Sequence, residues 1–308
     1  MKIIVTGGAG FIGSHIVDAY LKAGHRVAVV DNLSTGFRRN LNSHAKFYKA
    51  DIRDPRTLKQ IFRKEKPEVV NHHAALASVI ASVHDPRATF EANVLGTLNL
   101  LRAFAEWGKG EHKKFIFAST GGAIYGNPKK LPASEATPPA PSSPYGLSKL
   151  LAEETVRFYA RACGFAYTIF RYANVYGPRQ SPRGEAGVVA IFGNLMHRGE
   201  RPTIFGNGGK TRDYVFVTDI ARANLAALAK GENETLNLGT GIMTSDREVF
   251  DTVARACCFR GAPRYALARE GEINKISLDA RRAKQALGWA PKVKFTEGVA
   301  KTVRASSE

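Results

Sequence analysis

Thr6-Gly7-Gly8-Ala9-Gly10-Phe11-Ile12-Gly13-Ser14 follows the apolar run Ile3-Ile4-Val5, and its reading decides the fold. A strand that turns through glycines into a helix aims backbone N–H groups and the positive end of the helix at one point, a site suited to a dinucleotide pyrophosphate. Gly7 and Gly10 are expected to permit positive φ and close backbone approach, and Gly13 to let the helix pack tightly on the strand. The spacing is G-x-x-G-x-x-G rather than G-x-G-x-x-G, so the motif alone also fits an ordinary glycine-rich turn.

The context beyond the turn favours the first reading. After a helix-like stretch to Lys22 and then Gly24, the apolar segment 27–30 ends at Asp31. A carboxylate about 20 residues past the glycines is placed to bond the adenosine ribose hydroxyls. Its charge repels a 2′-phosphate, so NAD is expected over NADP. Ser34, Arg38 and Arg39 pull the other way, because arginines there could hold a phosphate.

Short apolar stretches at 3–6, 27–31, 46–50, 69–72, 115–119 and 167–172 read as strands, and segments starting near Phe11, Arg56, Pro86 and Tyr145 read as helices. This alternation predicts an α/β fold, a doubly wound parallel sheet of Rossmann type with ligands at the carboxyl ends of its strands. Residues 1–175 are assigned to an NAD-binding domain. Residues 176–308 mainly form a smaller C-terminal α/β substrate-binding region, with segments 212–228 and 235–241 returning to the first domain.

A chain of 308 residues with 44% hydrophobic content can bury a large core. No apolar run approaches the roughly 20 residues that span a bilayer. The N-terminus enters its first strand at once, with no room for a signal peptide, so no membrane association and a cytoplasmic location are expected. Three cysteines cannot make a disulfide framework and lack metal-ligand spacing; buried free thiols and no metal are expected. Lys and Arg number 45 against 27 Asp and Glu, a net charge of +18 that raises a nucleic-acid role. The basic residues are scattered in pairs such as Arg38-Arg39 and Arg281-Arg282, which argues instead for a solvated surface. His72 and His73 invite a metal reading, but neighbours on a strand point to opposite faces, and packed or hydrogen-bonded imidazoles are expected.

The chemistry centres on Tyr145-Gly146-Leu147-Ser148-Lys149. Residues four apart on a helix share a face, so the Lys149 ammonium can approach the Tyr145 phenol. Its charge is expected to lower the phenol pKa and make a usable general base. Ser119 and Thr120, at the end of the fifth strand, add hydroxyls able to donate to a substrate hydroxyl or relay its proton. The set suits oxidation of a secondary alcohol.

These motifs are joined by Asp31-Asn32-Leu33, Asp51-Ile52, His72-His73-Ala74-Ala75, Asn93-Val94-Leu95-Gly96-Thr97, Arg171-Tyr172-Ala173-Asn174-Val175-Tyr176-Gly177-Pro178, Arg212-Asp213-Tyr214-Val215, Asn237-Leu238-Gly239-Thr240-Gly241 and Leu287-Gly288-Trp289. In order and spacing the chain resembles the extended short-chain dehydrogenase/reductases, specifically nucleotide-sugar epimerases of the UDP-glucose 4-epimerase type.

The resemblance implies NAD held by Gly7, Gly10, Phe11, Ile12, Gly13, Asp31, Asn32, Asp51, Ile52, Ala74, Ala75, Asn93, Ser119, Tyr145, Lys149 and Tyr172. It implies a UDP-sugar held by Ser78, Thr120, Tyr145, Asn174, Val188, Val189 and Phe205, with Arg212 and Arg269 on the pyrophosphate and Phe205 against uracil. Catalysis falls to Thr120, Tyr145 and Lys149. The implied reaction is 4-epimerisation of UDP-glucose and UDP-galactose through a transient 4-keto sugar, with Tyr145, aided by Thr120, taking the proton of the C4 hydroxyl.

Gly121-Gly122 follow Thr120 where sugar-nucleotide dehydratases carry acidic residues, which argues against dehydration. Ile276, smaller than an aromatic at a pocket position, extends the substrate expectation to N-acetyl forms, while Arg179 and Arg183 raise UDP-glucuronate as a further substrate. The likeness also implies a homodimer packed through the helix of Leu147, Leu150, Leu151 and Val156, although these could equally serve the monomer core. Two alternatives remain: a simple NAD-dependent alcohol dehydrogenase, which would accumulate NADH, and a catalytically inactive NAD- or nucleic-acid-binding protein, which the retained tyrosine and lysine disfavour.

Overall fold

The computed structural model describes residues 1–107, 113–182, 187–268 and 273–305. Strand and helix alternate from the start: β1 (Lys2–Thr6), α1 (Phe11–Lys22), β2 (Arg26–Asp31), β3 (Lys46–Lys49), α2 (Pro55–Glu65), β4 (Val69–His72), α3 (Val79–His84), α4 (Pro86–Phe90), α5 (Gly96–Trp107) and β5 (Lys114–Thr120). There follow α6 (Gly121–Tyr125), α7 (Pro144–Cys163), β6 (Ala166–Tyr172), β7 (Asn174–Tyr176), α8 (Val188–His197), β8 (Thr203–Phe205), β9 (Thr211–Arg212) and β10 (Tyr214–Phe216). The chain closes with α9 (Val217–Ala226), β11 (Glu234–Leu238), β12 (Thr244–Ser245), α10 (Asp246–Ala256), β13 (Arg264–Ala266), α11 (Arg281–Leu287) and α12 (Phe295–Ala305).

Seven strands form one parallel sheet in the order β11-β6-β5-β4-β1-β2-β3, the doubly wound arrangement expected. The order reverses between β1 and β4, and such a switch point opens a crevice at the carboxyl ends of the strands. Helices cover both faces, which is why the strands read as continuous apolar runs. Alternate residues enter separate cores: Ile3 and Val5 pack with Val17, Val215 and Ile220, whereas Ile4 packs with Leu58, Phe62, Leu101 and Phe117. A third core of Val189, Phe192, Phe250, Val253, Val299 and Val303 ties α8, α10 and α12 together. The edge strand β11 comes from beyond residue 176, and α9 packs on α1, with the Tyr20 hydroxyl donating to the Asn224 carbonyl at 3.2 Å.

Local signals set the helix ends. The Asp54 carboxylate accepts from the N–H groups of Arg56 and Thr57 ahead of Pro55, and Ser143 accepts from Gly146 ahead of Pro144. The stretch read as a helix from Pro86 has a short helix, α3, before it. Proline disfavours the α conformation in the residue ahead of it, so the chain breaks at Asp85 and restarts. The expectation of buried thiols is not met: Cys163 and Cys257 are half-buried and Cys258 is exposed, all free. Among the described residues no helix is long and apolar enough to cross a membrane.

Candidate active site

The glycine turn is built by close backbone approach. Gly7 has φ +70°, and a Cβ there would stand 2.7 Å from the Ala74 nitrogen; one on Gly13 would stand 2.2 Å from the Gly7 carbonyl oxygen. Gly10 departs from expectation, with an extended φ of −79°; its N–H donates to the Gly7 carbonyl at 3.0 Å, so tightness and not handedness selects glycine. The Asp31 carboxylate accepts from the N–H groups of Ala9 at 3.0 Å and Leu33 at 2.8 Å, which locks the tip of β2 against the turn.

A cavity of about 370 Å³ opens here, lined by Gly7, Gly10, Phe11, Ile12, Gly13, Asp31, Asn32, Asp51, Ile52, Ala74, Ala75, Ser119, Tyr145, Lys149 and Tyr172. A cradle that side chains would fill, with a carboxylate at its rim, fits a dinucleotide. Asn93 is the exception among the expected cofactor residues. It stands behind the wall, exchanging hydrogen bonds with the Leu76 backbone at 2.8 and 3.0 Å and donating to the Ser148 hydroxyl at 3.0 Å, so it braces the cavity without lining it. Of the residues read as able to hold a 2′-phosphate, Ser34 lines the cavity, whereas Arg38 and Arg39 lie off the lining, over the rings of Phe47 and Phe37. Arg53, unforeseen, lines the cavity and forks onto Asp51 at 3.0 and 2.8 Å.

Tyr145 lies in the first turn of α7 and Lys149 one turn later. The phenol shares a hydrogen bond with Thr120, and the Lys149 amine stands 4.3 Å from the Phe117 ring centre. Burial pushes the Tyr145 phenol up to about 12, against the lowering effect of Thr120. Burial pulls Lys149 down to about 7, against the charge of Glu153. The expected acidification of the phenol by Lys149 is thus reversed in direction. The amine has lost the same water as the phenol and keeps its charge only below about pH 7. Between these values the pair holds one proton, and phenolate with ammonium is a tautomer of phenol with amine.

The two strand-end hydroxyls diverge. Thr120 caps α6, accepting from the Ala123 N–H at 3.4 Å, and reaches Tyr145. Ser119 donates to Glu153 Oε1 at 2.7 Å, so its proton is not free for the relay expected of it. Glu153 was missed, although Tyr145, Lys149 and Glu153 share the four-residue spacing of one helix face. The histidines are packed: His72 bonds Thr6 at 2.7 Å and Thr97 at 2.9 Å, and His73 stacks on Tyr172 and bonds its hydroxyl at 3.0 Å.

Of the residues expected to hold a sugar nucleotide, Tyr145 lines this cavity, whereas Ser78, Thr120, Asn174, Val188, Val189, Phe205 and Arg212 lie off its lining. The Ser78 hydroxyl caps α3, accepting from the Ala81 N–H at 2.8 Å. Val189 is buried in the third core, so its side chain cannot meet a ligand, while Val188 opens α8 and is half-buried. Asn174 is exposed at the start of β7, Phe205 ends β8, and the Arg212 guanidinium donates to the Thr211 carbonyl at 2.9 Å. Arg179 pairs with Asp18 at 2.8 Å in a part-exposed ion pair. Arg183 and Arg269 lie outside the described residues. Beside Arg212, the buried Asp213 carboxylate accepts from Thr240 N and Oγ1, Gly241 N and Leu278 N at 2.6 to 3.1 Å. It fastens β9 and β10 to the 237–241 motif; only the Arg-Asp-Tyr-Val run signalled it.

Residues 3–239 match the NAD dependent epimerase/dehydratase family. The chain is 47% identical over 301 residues to a putative UDP-glucose 4-epimerase of Methanocaldococcus jannaschii, across 98% of this chain and 97% of the relative. It is similar to the solved UDP-glucose 4-epimerase of Thermotoga maritima with UDP-glucose, at TM-score 0.97 and 49% identity over 99% and 98% of the two chains. A second similar structure is the Thermus thermophilus UDP-glucose 4-epimerase in complex with NAD, at TM-score 0.94 and 44% identity over 100% and 99%.

Proposed function

The chain belongs to the NAD dependent epimerase/dehydratase family, and from that premise we propose that it interconverts UDP-glucose and UDP-galactose by inverting the sugar C4. The observation that carries the reading is the meeting of Tyr145, Lys149 and the glycine turn on one cavity, with Thr120 bonded to the phenol. NAD is the cofactor, and when bound it supplies the acceptor and donor for the C4 hydrogen.

The glycine turn and the N-terminus of α1 take its pyrophosphate, and Asp31 its ribose hydroxyls. Tyr145 takes the proton of the C4 hydroxyl through Thr120, in the tautomer that leaves ammonium on Lys149, and returns it once the other face of the sugar is presented. Arg212 is assigned to the UDP pyrophosphate. Gly121 and Gly122 supply no acid or base for dehydration, and a Cβ on Gly121 would stand 2.5 Å from Leu278 Cδ1, so an acidic side chain has no place there. Ile276 does not line the cavity as expected but is buried with Ile124, Tyr125 and Leu278; N-acetyl sugars stay in the proposal as additional substrates because isoleucine there is smaller than an aromatic.

A homodimer and a cytoplasmic setting complete the reading. Val83 on α3, Leu95 ahead of α5 and Leu147, Leu151 and Phe158 on α7 are exposed apolar side chains, Phe158 at 58%. Val156 and Leu150 turn inward instead.

Incubation of the protein and NAD with UDP-galactose, then with UDP-N-acetylgalactosamine, tests the assignment. UDP-glucose and UDP-N-acetylglucosamine are expected. No turnover of either overturns the epimerase reading; turnover of the first alone, unchanged by Ile276→Tyr, overturns the N-acetyl extension.

A further inference from the structure

Ser119, Arg171 and Asn237 are register partners across β5, β6 and β11, so their side chains leave the sheet on one face. Glu153 descends on this row from α7. Its Oε1 accepts from Ser119 Oγ at 2.7 Å and Arg171 Nε at 2.9 Å, and its Oε2 from Arg171 at 2.7 Å and Arg157 at 2.9 Å. Arg171 donates on to the Tyr125 hydroxyl at 3.0 Å, which donates to Asn237 at 2.9 Å. Glu153 is 0% exposed and Arg171 4%. A fully buried ionic cluster is not needed for stability, since apolar residues of similar volume commonly serve as well.

We propose that Glu153 is a positioning residue of the active site: its carboxylate, pinned by Arg171 and Arg157, turns the Ser119 proton away from the cofactor cavity and supplies the counter-charge for the Lys149 ammonium one helical turn away. The assignment rests on the epimerase reading. Burial alone would raise the Glu153 carboxyl, but Arg171, Ser119 and Arg157 outweigh it and hold it below its usual range. An ionised carboxylate only accepts, so Ser119 must donate to it and offers the cavity lone pairs alone. Facing Lys149 are His72 and His73 on β4, both kept neutral by burial, the Phe117 ring on β5, and Tyr145 and Glu153 on its own helix. Of these, Glu153 is the group that favours the ammonium.

The test compares native protein, Glu153→Gln, Glu153→Gln/Arg171→Gln and Ser119→Ala. The readouts are the ¹³C titration of the Lys149 ε-carbon, assigned with Lys149→Arg, the affinity for NAD, and the pH profile of kcat/KM for UDP-galactose. Both Gln variants are expected to move the Lys149 midpoint and the acid limb of kcat/KM at least about half a pH unit lower, about threefold in proton affinity, with KM within about twofold. Ser119→Ala is expected to weaken NAD about fivefold, as for one lost hydrogen bond, with the Lys149 midpoint unmoved. A folded Glu153→Gln protein whose Lys149 midpoint stays native overturns the counter-charge role, and native NAD affinity in Ser119→Ala overturns the orienting role. If the single variant does not fold, the double variant, which removes both buried charges, decides by the same criterion. If native protein turns over no UDP-sugar, the epimerase reading falls and the Lys149 titration still judges Glu153.

Discussion

A Cβ on Gly13 would stand 2.2 Å from the carbonyl oxygen of Gly7, so the start of α1 and the phosphate turn are fitted to each other with no space for a methyl group. Gly13→Ala must push the turn out of shape. It is expected to cost about 1–3 kcal/mol by overpacking and to weaken NAD at least about tenfold, by urea denaturation and calorimetry. Gly24→Ala provides the control: φ there is +82° with open space around it, so about 1 kcal/mol of stability is lost and NAD affinity is unchanged.

Tyr145→Phe removes the proton acceptor and keeps the ring. The expected loss is more than about 100-fold in kcat, with KM for UDP-galactose little changed. Thr120→Val is expected to lose less, because Tyr145 remains and only the bridging hydroxyl is gone. Steady-state assays with each variant check both.

Activity should rise with pH through the loss of the first proton from the Tyr145–Lys149 pair. Below about 7 the pair is phenol plus ammonium and has no base; above it, one proton is shared and the phenolate tautomer exists. An acid limb of kcat/KM near pH 7 is expected, absent from the residual activity of Lys149→Met.

Lys149 also makes stability pH-dependent. Its folded pKa, about 7, lies below the unfolded value of 10.5, so between these the unfolded chain binds the extra proton and stability rises with pH. Below about 7 both states are protonated and the cost of burying the charge is present in full. Lys149→Met should therefore be more stable than native at about pH 6, with the advantage shrinking by about pH 9, as urea midpoints will show.

If the proposed dimer packs through the exposed apolar row on α7, Leu151→Asp/Phe158→Asp is expected to give a monomer in light scattering where the native protein gives a dimer. Val156→Asp, by contrast, is expected to prevent folding, since that side chain is wholly buried.

The sheet and its crevice were legible because each depends on local pattern. Ile3-Ile4-Val5, closed by the glycine turn, reads as a strand covered on both faces, and the glycines, Asp31 and the Tyr145–Lys149 pair sit at fixed offsets along the chain. Ionisation was not legible, since spacing places Lys149 near Tyr145 but does not tell how much water each loses. Glu153, Asp213 and the bracing role of Asn93 depend on contacts between residues far apart in sequence, such as Ser119 with Glu153 and Asp213 with Leu278. Val189 was placed at the substrate by the resemblance, yet a core claims its side chain.

Incubating the protein and NAD with UDP-galactose carrying deuterium at C4 tests the central claim most directly. The account predicts UDP-glucose with the deuterium still at C4, no exchange with solvent and no accumulation of reduced nicotinamide. Deuterium lost to water, or reduced nicotinamide formed in step with a released keto sugar, would contradict it.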